Sequence, residues 1–194
     1  MALYHKDWAA GTSQSKFARV QTLGPEIGPV RKFLLDSLSG PTFTVANPKA
    51  VEGAALLLLM SGRIRVGDVK YLNDNGTTGV TTLLKEQVYT DAKDQLFLRY
   101  VGKSGNKNPD NPTVTTIEIT EPVLKNALSE LRQFHPEDPR LFIYESGAEK
   151  SLVALSSARV NRRAQELFGD KFSVKDLRTW AANVMTVQER AVRP

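Results

Sequence analysis

Cysteine is absent from this 194-residue chain, which excludes disulfides, thiolate zinc sites and cysteine nucleophiles together. Histidine occurs twice, as His5 and His135, too far apart in sequence to offer metal-ligand spacing. A metal site made of carboxylates alone has no supporting motif, so neither a metal nor a cofactor is expected. Long apolar runs are missing as well. The longest, Ala54 to Met60, falls well short of the roughly 20 residues that a membrane-spanning helix needs. No basic-then-apolar signal segment opens the chain, and a cytoplasmic location is expected.

What is present fits a soluble globular protein: 41% hydrophobic and 24% charged residues, in a length that allows a proper core. A single domain over residues 1–194 is expected. The net charge of +5 leans towards a polyanionic partner. No repeat or low-complexity segment interrupts the chain.

Periodicity places the elements. Phe17, Val20, Leu23, Ile27, Val30, Leu34 and Leu38 recur at three- and four-residue steps, which predicts one or two helices over Ser13 to Leu38. Gly24-Pro25 and Gly28-Pro29 are expected to break or kink them. Gly40 to Pro48 reads as a loop. Asn47-Pro48 then reads as a cap with proline in the first turn of a buried helix through Met60. Gln87 to Tyr89 and Leu96 to Val101 read as a hairpin, and Asn106 to Pro112 as a polar turn before a third strand from Thr113 to Ile119. A helix follows from Pro122 to about Phe134, then a connection from His135 to Pro139 and a brief apolar run from Leu141 to Tyr144. Ser156 or Ser157 caps a helix to Phe168, and Ser173-x-x-Asp176 opens a last one. The fold class expected is mainly α with a small antiparallel β-sheet.

Three cations stand out by their local sequence. Phosphodiester transfer builds negative charge on the non-bridging oxygens, and arginine offers forked, permanently charged donors for them. The leaving oxygen also needs a proton, which a lysine among other cations can give, because nearby positive charge lowers its pKa. Arg65 lies in Ile64-Arg65-Val66-Gly67, where alternation turns Ile64 and Val66 inward. Lys103 lies in Gly102-Lys103-Ser104-Gly105, just past the second strand of the hairpin. Arg178 lies early in the last helix, in Lys175-Asp176-Leu177-Arg178-Thr179-Trp180. Each alone reads more blandly, as a solvated arginine, a turn lysine and a surface ion pair. The Gly-Lys-Ser of the second motif also invites a P-loop reading, which fails. A Walker motif requires glycine at position 97, where Phe97 stands, and a helix from the lysine onward.

Taken together, these blocks resemble the catalytic domain of type IB DNA topoisomerases, in particular the compact bacterial and poxvirus branch of the DNA breaking-rejoining enzymes. The likeness rests on Ile64 to Gly67, Tyr71, Asn75-Gly76-x-x-Gly79-x-Thr81-Thr82-Leu83, Gly102 to Gly105 and Lys175 to Trp180. It implies that Arg65 and Arg178 clamp the transition state, that Lys103, helped by Lys175, protonates the leaving oxygen, and that Tyr71 touches a DNA phosphate. It further implies double-stranded DNA as partner and relaxation of supercoils through a 3′-phosphotyrosyl intermediate, without ATP or metal. Trp180 is expected to pack in the core. The location implied is the nucleoid, or the host cell or virion for a viral protein. Tyrosine recombinases share this chemistry but place histidine where Lys175 stands, so the recombinase alternative is disfavoured. A non-catalytic DNA-binding module is the other alternative.

The sequence departs from the family pattern in places, most notably at Asp68, whose charge is expected to weaken phosphate contact locally. The stretch from Thr179 to Pro194 holds neither tyrosine nor histidine, and no small N-terminal β domain precedes the core. The expectation is a catalytic domain incomplete at its C-terminus. It would be inactive alone unless a second polypeptide or a missing segment carries the nucleophilic tyrosine.

Overall fold

The computed structural model describes residues 6–40, 44–103 and 111–192, with only the helical backbone described for 6–17 and 186–192. Ser104-Gly105 and most of the turn expected over Asn106 to Pro112 therefore lie outside the described residues, as do Tyr4 and His5. The order of elements is α1 (Lys6–Ser39), α2 (Pro48–Met60), α3 (Val69–Asn75), two single 3-10 turns (Val80–Thr82 and Lys85–Gln87), β1 (Val88–Thr90), β2 (Leu96–Val101), β3 (Val114–Ile119), α4 (Pro122–Gln133), β4 (Ile143–Ser146), β5 (Ser151–Ala154), α5 (Ser157–Phe168) and α6 (Val174–Val192). The class is mainly α with a small antiparallel sheet, as expected.

Helix α2 is the hub. It is buried without interruption from Val51 to Met60, as befits a helix that is apolar on every side, and α1, α4, α5, α6 and β4 pack around it. Asn47 caps it by accepting the Lys49 N–H at 2.9 Å, with Pro48 in the first turn. One charge lies inside this helix. Glu52 is buried, and Arg159 and Arg163 of α5 both reach its carboxylate. Arg159 also donates to the Tyr144 hydroxyl at 3.2 Å. A buried carboxylate persists only when paired in this way, so the pairing fixes α5 against α2.

The prolines do not break α1. Pro25 and Pro29 sit inside one continuous helix that begins at Lys6. The physical reason is where they face. Val20, Leu23, Ile27, Val30, Leu34 and Leu38 are buried, whereas Pro25 and Pro29 lie on the exposed side. Water can therefore solvate the carbonyls that the missing N–H groups leave unpaired. Gly24 and Gly28, which have no Cβ, also relieve the crowding that proline imposes on its predecessor.

The sheet has the order β1-β2-β3, antiparallel throughout, with Leu98 opposite both Val88 and Ile117. A second hairpin pairs β4 with β5. Its first strand overlaps the expected apolar run, but β5 carried too little periodicity to be anticipated. Lys85 closes the region between. Its side chain is buried and donates to the carbonyls of Phe134 at 2.6 Å and His135 at 2.5 Å, which satisfies the C-terminal end of α4. No described helix is long and apolar enough to cross a membrane.

Candidate active site

Arg65 belongs to no helix or strand. It lies on an irregular segment between α2 and α3 whose inward and outward pattern is nonetheless as expected: Ile64 is buried, Val66 is half-buried and Arg65 is exposed. Backbone hydrogen bonds supply the order that a strand would have given. The Val80 N–H donates to the Arg65 carbonyl at 2.8 Å, and the Thr81 N–H donates to the Val66 carbonyl at 2.8 Å. The Thr81 hydroxyl adds a second bond to the same Val66 oxygen. These bonds require two chains to cross in contact. At Gly79 a Cβ would stand 2.3 Å from both Cα and N of Gly67, and 2.8 Å from the Arg65 carbonyl oxygen. Only glycine fits. The Thr82 hydroxyl completes the turn, accepting from the Gly79 N–H and donating to the Gly79 carbonyl.

The same segment reaches the other cations. Immediately before the crossing, the Thr78 N–H donates to the Val101 carbonyl at 2.8 Å. Val101 ends β2, and Lys103 follows two residues later with its side chain exposed. On the opposite flank, Gly62 adopts φ +74°, and a Cβ there would stand 2.8 Å from the Ala181 Cβ of α6. Ala181 lies one turn beyond Arg178. Arg65 is thus fastened towards Lys103 on one side and towards the helix of Arg178 on the other.

Helix α6 starts as its sequence suggests. The Asp176 carboxylate accepts both the Ser173 N–H at 3.0 Å and the Ser173 hydroxyl at 2.7 Å, while Asn161 of α5 accepts the Val174 N–H. Half-buried Trp180 packs against the core, its indole nitrogen beside Gly24 of α1. Arg178 is half-buried, and its pKa falls below the usual arginine value, first through burial and then through the positive charge of Arg65. The charge of Arg65 therefore reaches Arg178. Among the described residues neither has a carboxylate partner. Lys175 is exposed one turn before Arg178, at i−3 on the same helix. It joins the group by that placement alone.

Tyr71 stands on α3, which has no buried residue, and 57% of Tyr71 is exposed. Its ring is therefore not packed in the core. The Lys103 ammonium lies 6.0 Å from the centre of its ring, at the outer limit of a cation–π contact. Gly76, at φ +60°, ends α3, so Asp74-Asn75-Gly76 is the close of a helix as well as a turn. Asp68 has a structural use that its charge concealed. One carboxylate oxygen caps α3 by accepting the Lys70 N–H at 3.0 Å, and the other accepts from the Ser157 hydroxyl at 3.1 Å.

The fold therefore sets Arg65 near enough for its charge to act on Arg178, places Lys103 6.0 Å from the centre of the Tyr71 ring, and leaves Lys175 exposed on the helix of Arg178. Sequence reading missed Tyr100. Its side chain is buried, and its hydroxyl donates to the Arg63 carbonyl at 2.7 Å. Burial pushes the phenol up to about 12, against the opposing influence of Arg178 and Arg63. An aromatic three residues before Lys103 looked like ordinary strand packing. No group of three or more His, Asp or Glu side chains among the described residues is placed to hold a metal ion.

The family model described as the catalytic core of eukaryotic DNA topoisomerase I matches residues 6–191. DNA topoisomerase 1B of Acanthamoeba polyphaga mimivirus is 25% identical over 189 residues, covering 95% of this chain and 52% of the viral protein. DNA topoisomerase 1 of Rabbit fibroma virus (strain Kasza) is 29% identical over 132 residues, covering 68% of this chain and 35% of that protein. The chain thus spans about half the length of the first relative and about a third of the second. With its catalytic-core match running through nearly every residue, the chain belongs to the type IB DNA topoisomerase family.

Proposed function

We propose that this chain is the phosphate-gripping core of a DNA topoisomerase that relaxes supercoils through a transient single-strand break. One observation carries the reading. Two guanidiniums from different elements stand within electrostatic reach of one another, and no carboxylate among the described residues neutralises them. Two like charges so placed repel in isolation; a phosphodiester between them turns the repulsion into a clamp.

In the reaction a tyrosine oxygen attacks phosphorus and forms the 3′-phosphotyrosyl bond as the bond to the 5′ oxygen breaks. The phenol proton leaves to solvent. Arg65 and Arg178 hold the non-bridging oxygens while charge accumulates on them. Lys103, with Lys175 beside Arg178, gives its proton to the departing 5′ oxygen. The free strand turns about the intact one, and the 5′ hydroxyl then reverses the attack. The phosphotyrosine conserves the bond energy, so religation calls for no nucleotide. Tyr71 lies beside Lys103 to meet a neighbouring phosphate. The described tyrosines have other occupations: Tyr100 and Tyr144 are buried with bonded hydroxyls, and Tyr89 stacks on Phe97. Among the described residues none is set to attack, and this reading takes the nucleophile from a further segment or a second polypeptide. Such an enzyme works wherever its DNA lies, in a nucleoid, a host cell or a virion.

The test pairs a duplex-binding titration over a range of salt with a labelled suicide duplex that cannot religate. The expected result is salt-dependent binding with no covalent adduct from this chain alone. Arg178→Ala should weaken binding and make the salt slope shallower by about one. Lys103→Ala should leave affinity nearly unchanged, while slowing cleavage by orders of magnitude once the tyrosine is supplied. A covalent adduct from this chain alone would overturn the external tyrosine. Binding indifferent to salt would overturn the phosphate grip.

A further inference from the structure

Resting on that reading, we propose that Tyr100 is a positioning residue of the active site: its hydroxyl, by holding the Arg63 carbonyl, locks the segment that bears Arg65 to the strand that leads to Lys103, beside Arg178. The bond spans 2.7 Å, and the side chain is only 4% exposed. Arg65 lies two residues beyond the held carbonyl, and Lys103 three residues beyond Tyr100. The ring lies against Gly102, where an added Cβ would stand 3.4 Å from its edge, so the approach to Lys103 is shaped around it.

The tie is not redundant. The N–H groups of Val80 and Thr81 hold the Arg65 segment through the carbonyls of Arg65 and Val66. Tyr100 holds it by the Arg63 carbonyl, so the segment is pinned on both sides of Ile64. The phenol is suited to this work because burial raises its pKa to about 12. It stays a neutral donor over the whole physiological range, and the charges of Arg178 and Arg63 are close enough to act on it. Removal of the hydroxyl deletes this bond, so it should release this segment in particular.

Tyr100→Phe keeps the ring and deletes the donor. Amide hydrogen exchange on the full chain reads the tie without DNA. The Val80 and Thr81 amides should exchange about three- to tenfold faster in the variant, while buried amides of α2, such as Leu58, hold their rates. Unchanged rates at Val80 and Thr81, or a uniform rise that includes α2, overturn the proposal. A second readout is duplex affinity in a double-mutant cycle with Arg65→Ala. If Tyr100 acts through Arg65, its effect on affinity should vanish in the Arg65→Ala background. An equal loss in both backgrounds means that Tyr100 only supports the fold. A wild-type chain that binds no duplex at any salt overturns the proposed function instead, and exchange then decides the tie by itself.

Discussion

Gly79→Ala should be among the most damaging single-methyl additions to this chain, and the reason lies entirely in sterics. Gly79 has φ −135° and ψ −179°, an extended conformation that alanine adopts freely. No backbone strain is therefore expected. The new Cβ, however, would stand 2.3 Å from two backbone atoms of Gly67 and 2.8 Å from the Arg65 carbonyl oxygen. None of these can rotate away as a side chain would. Reaching ordinary van der Waals contact near 3.4 Å requires the two chains to part by about 1 Å. That movement stretches the bonds from Val80 and Thr81 to the Arg65 and Val66 carbonyls. Overpacking of this kind costs about 1–3 kcal/mol, and each weakened hydrogen bond adds on the order of 1 kcal/mol. The total expected is about 3–5 kcal/mol. Urea unfolding measures it as a lowered midpoint at constant slope. Gly147→Ala is the comparison, since Gly147 has φ +76° with nothing within 4 Å of its missing Cβ. Left-handed backbone strain alone should cost about 1–2 kcal/mol there. Equal costs at the two positions, or a cost under about 1 kcal/mol at Gly79, would refute the crossing as the element that holds Arg65.

Two further outcomes test the surroundings of the site. Asp68→Ala removes a negative charge close to Tyr71 and also a helix cap. If charge dominates, duplex affinity should rise; we expect it to fall, because α3 has no buried residue to hold it and an N-cap is worth about 1 kcal/mol. A titration at low salt shows the sign. Asp138 has its pKa depressed from 3.8 to about 2, chiefly by the hydrogen bond from Arg140. A depressed carboxylate stabilises the fold above its ordinary pKa and loses that contribution as pH falls through the folded value. The shift amounts to about 2 kcal/mol at most, and to less in practice, because the Arg140 side chain is 45% exposed. Between pH 4 and 2, Asp138→Asn should therefore flatten the acid limb of the stability curve, and an unchanged limb would count against the pairing.

How much of this was readable beforehand depended on the kind of signal. Helices α2, α4, α5 and α6 announce themselves through caps and apolar spacing, and each begins within a residue or two of its expected start. The prolines of α1 misled because sequence reports that a backbone bond is lost without reporting which way the freed carbonyl faces. Helix α3 escaped because nothing in it is buried. Apolar periodicity detects a helix by the face it hides, and Val69 to Asn75 hides none. Strand β5 escaped for a similar reason, since Ser151-Leu152-Val153-Ala154 acquires its meaning only from pairing with β4.

The site divides along the same line. Arg65, Lys103 and Arg178 could be proposed from sequence because reactive chemistry demands particular side chains, and particular side chains leave a record in sequence. What sets their mutual geometry is mostly backbone: the Val80 and Thr81 amides on their carbonyls, Thr78 on Val101, and the contact between Gly67 and Gly79. A backbone amide is the same at every residue, so these bonds leave no mark of their own. The mark they do leave is negative, in two glycines twelve positions apart whose missing Cβ atoms let the chains touch. Read alone, Gly67 and Gly79 are two turns. Read together, they are the condition for an arginine outside any regular element to be held with the rigidity of a strand. Tyr100 completes the argument from the other direction, because its side chain does a backbone's work, and an aromatic in a strand gives no sign of whether its ring or its hydroxyl is the part the fold needs.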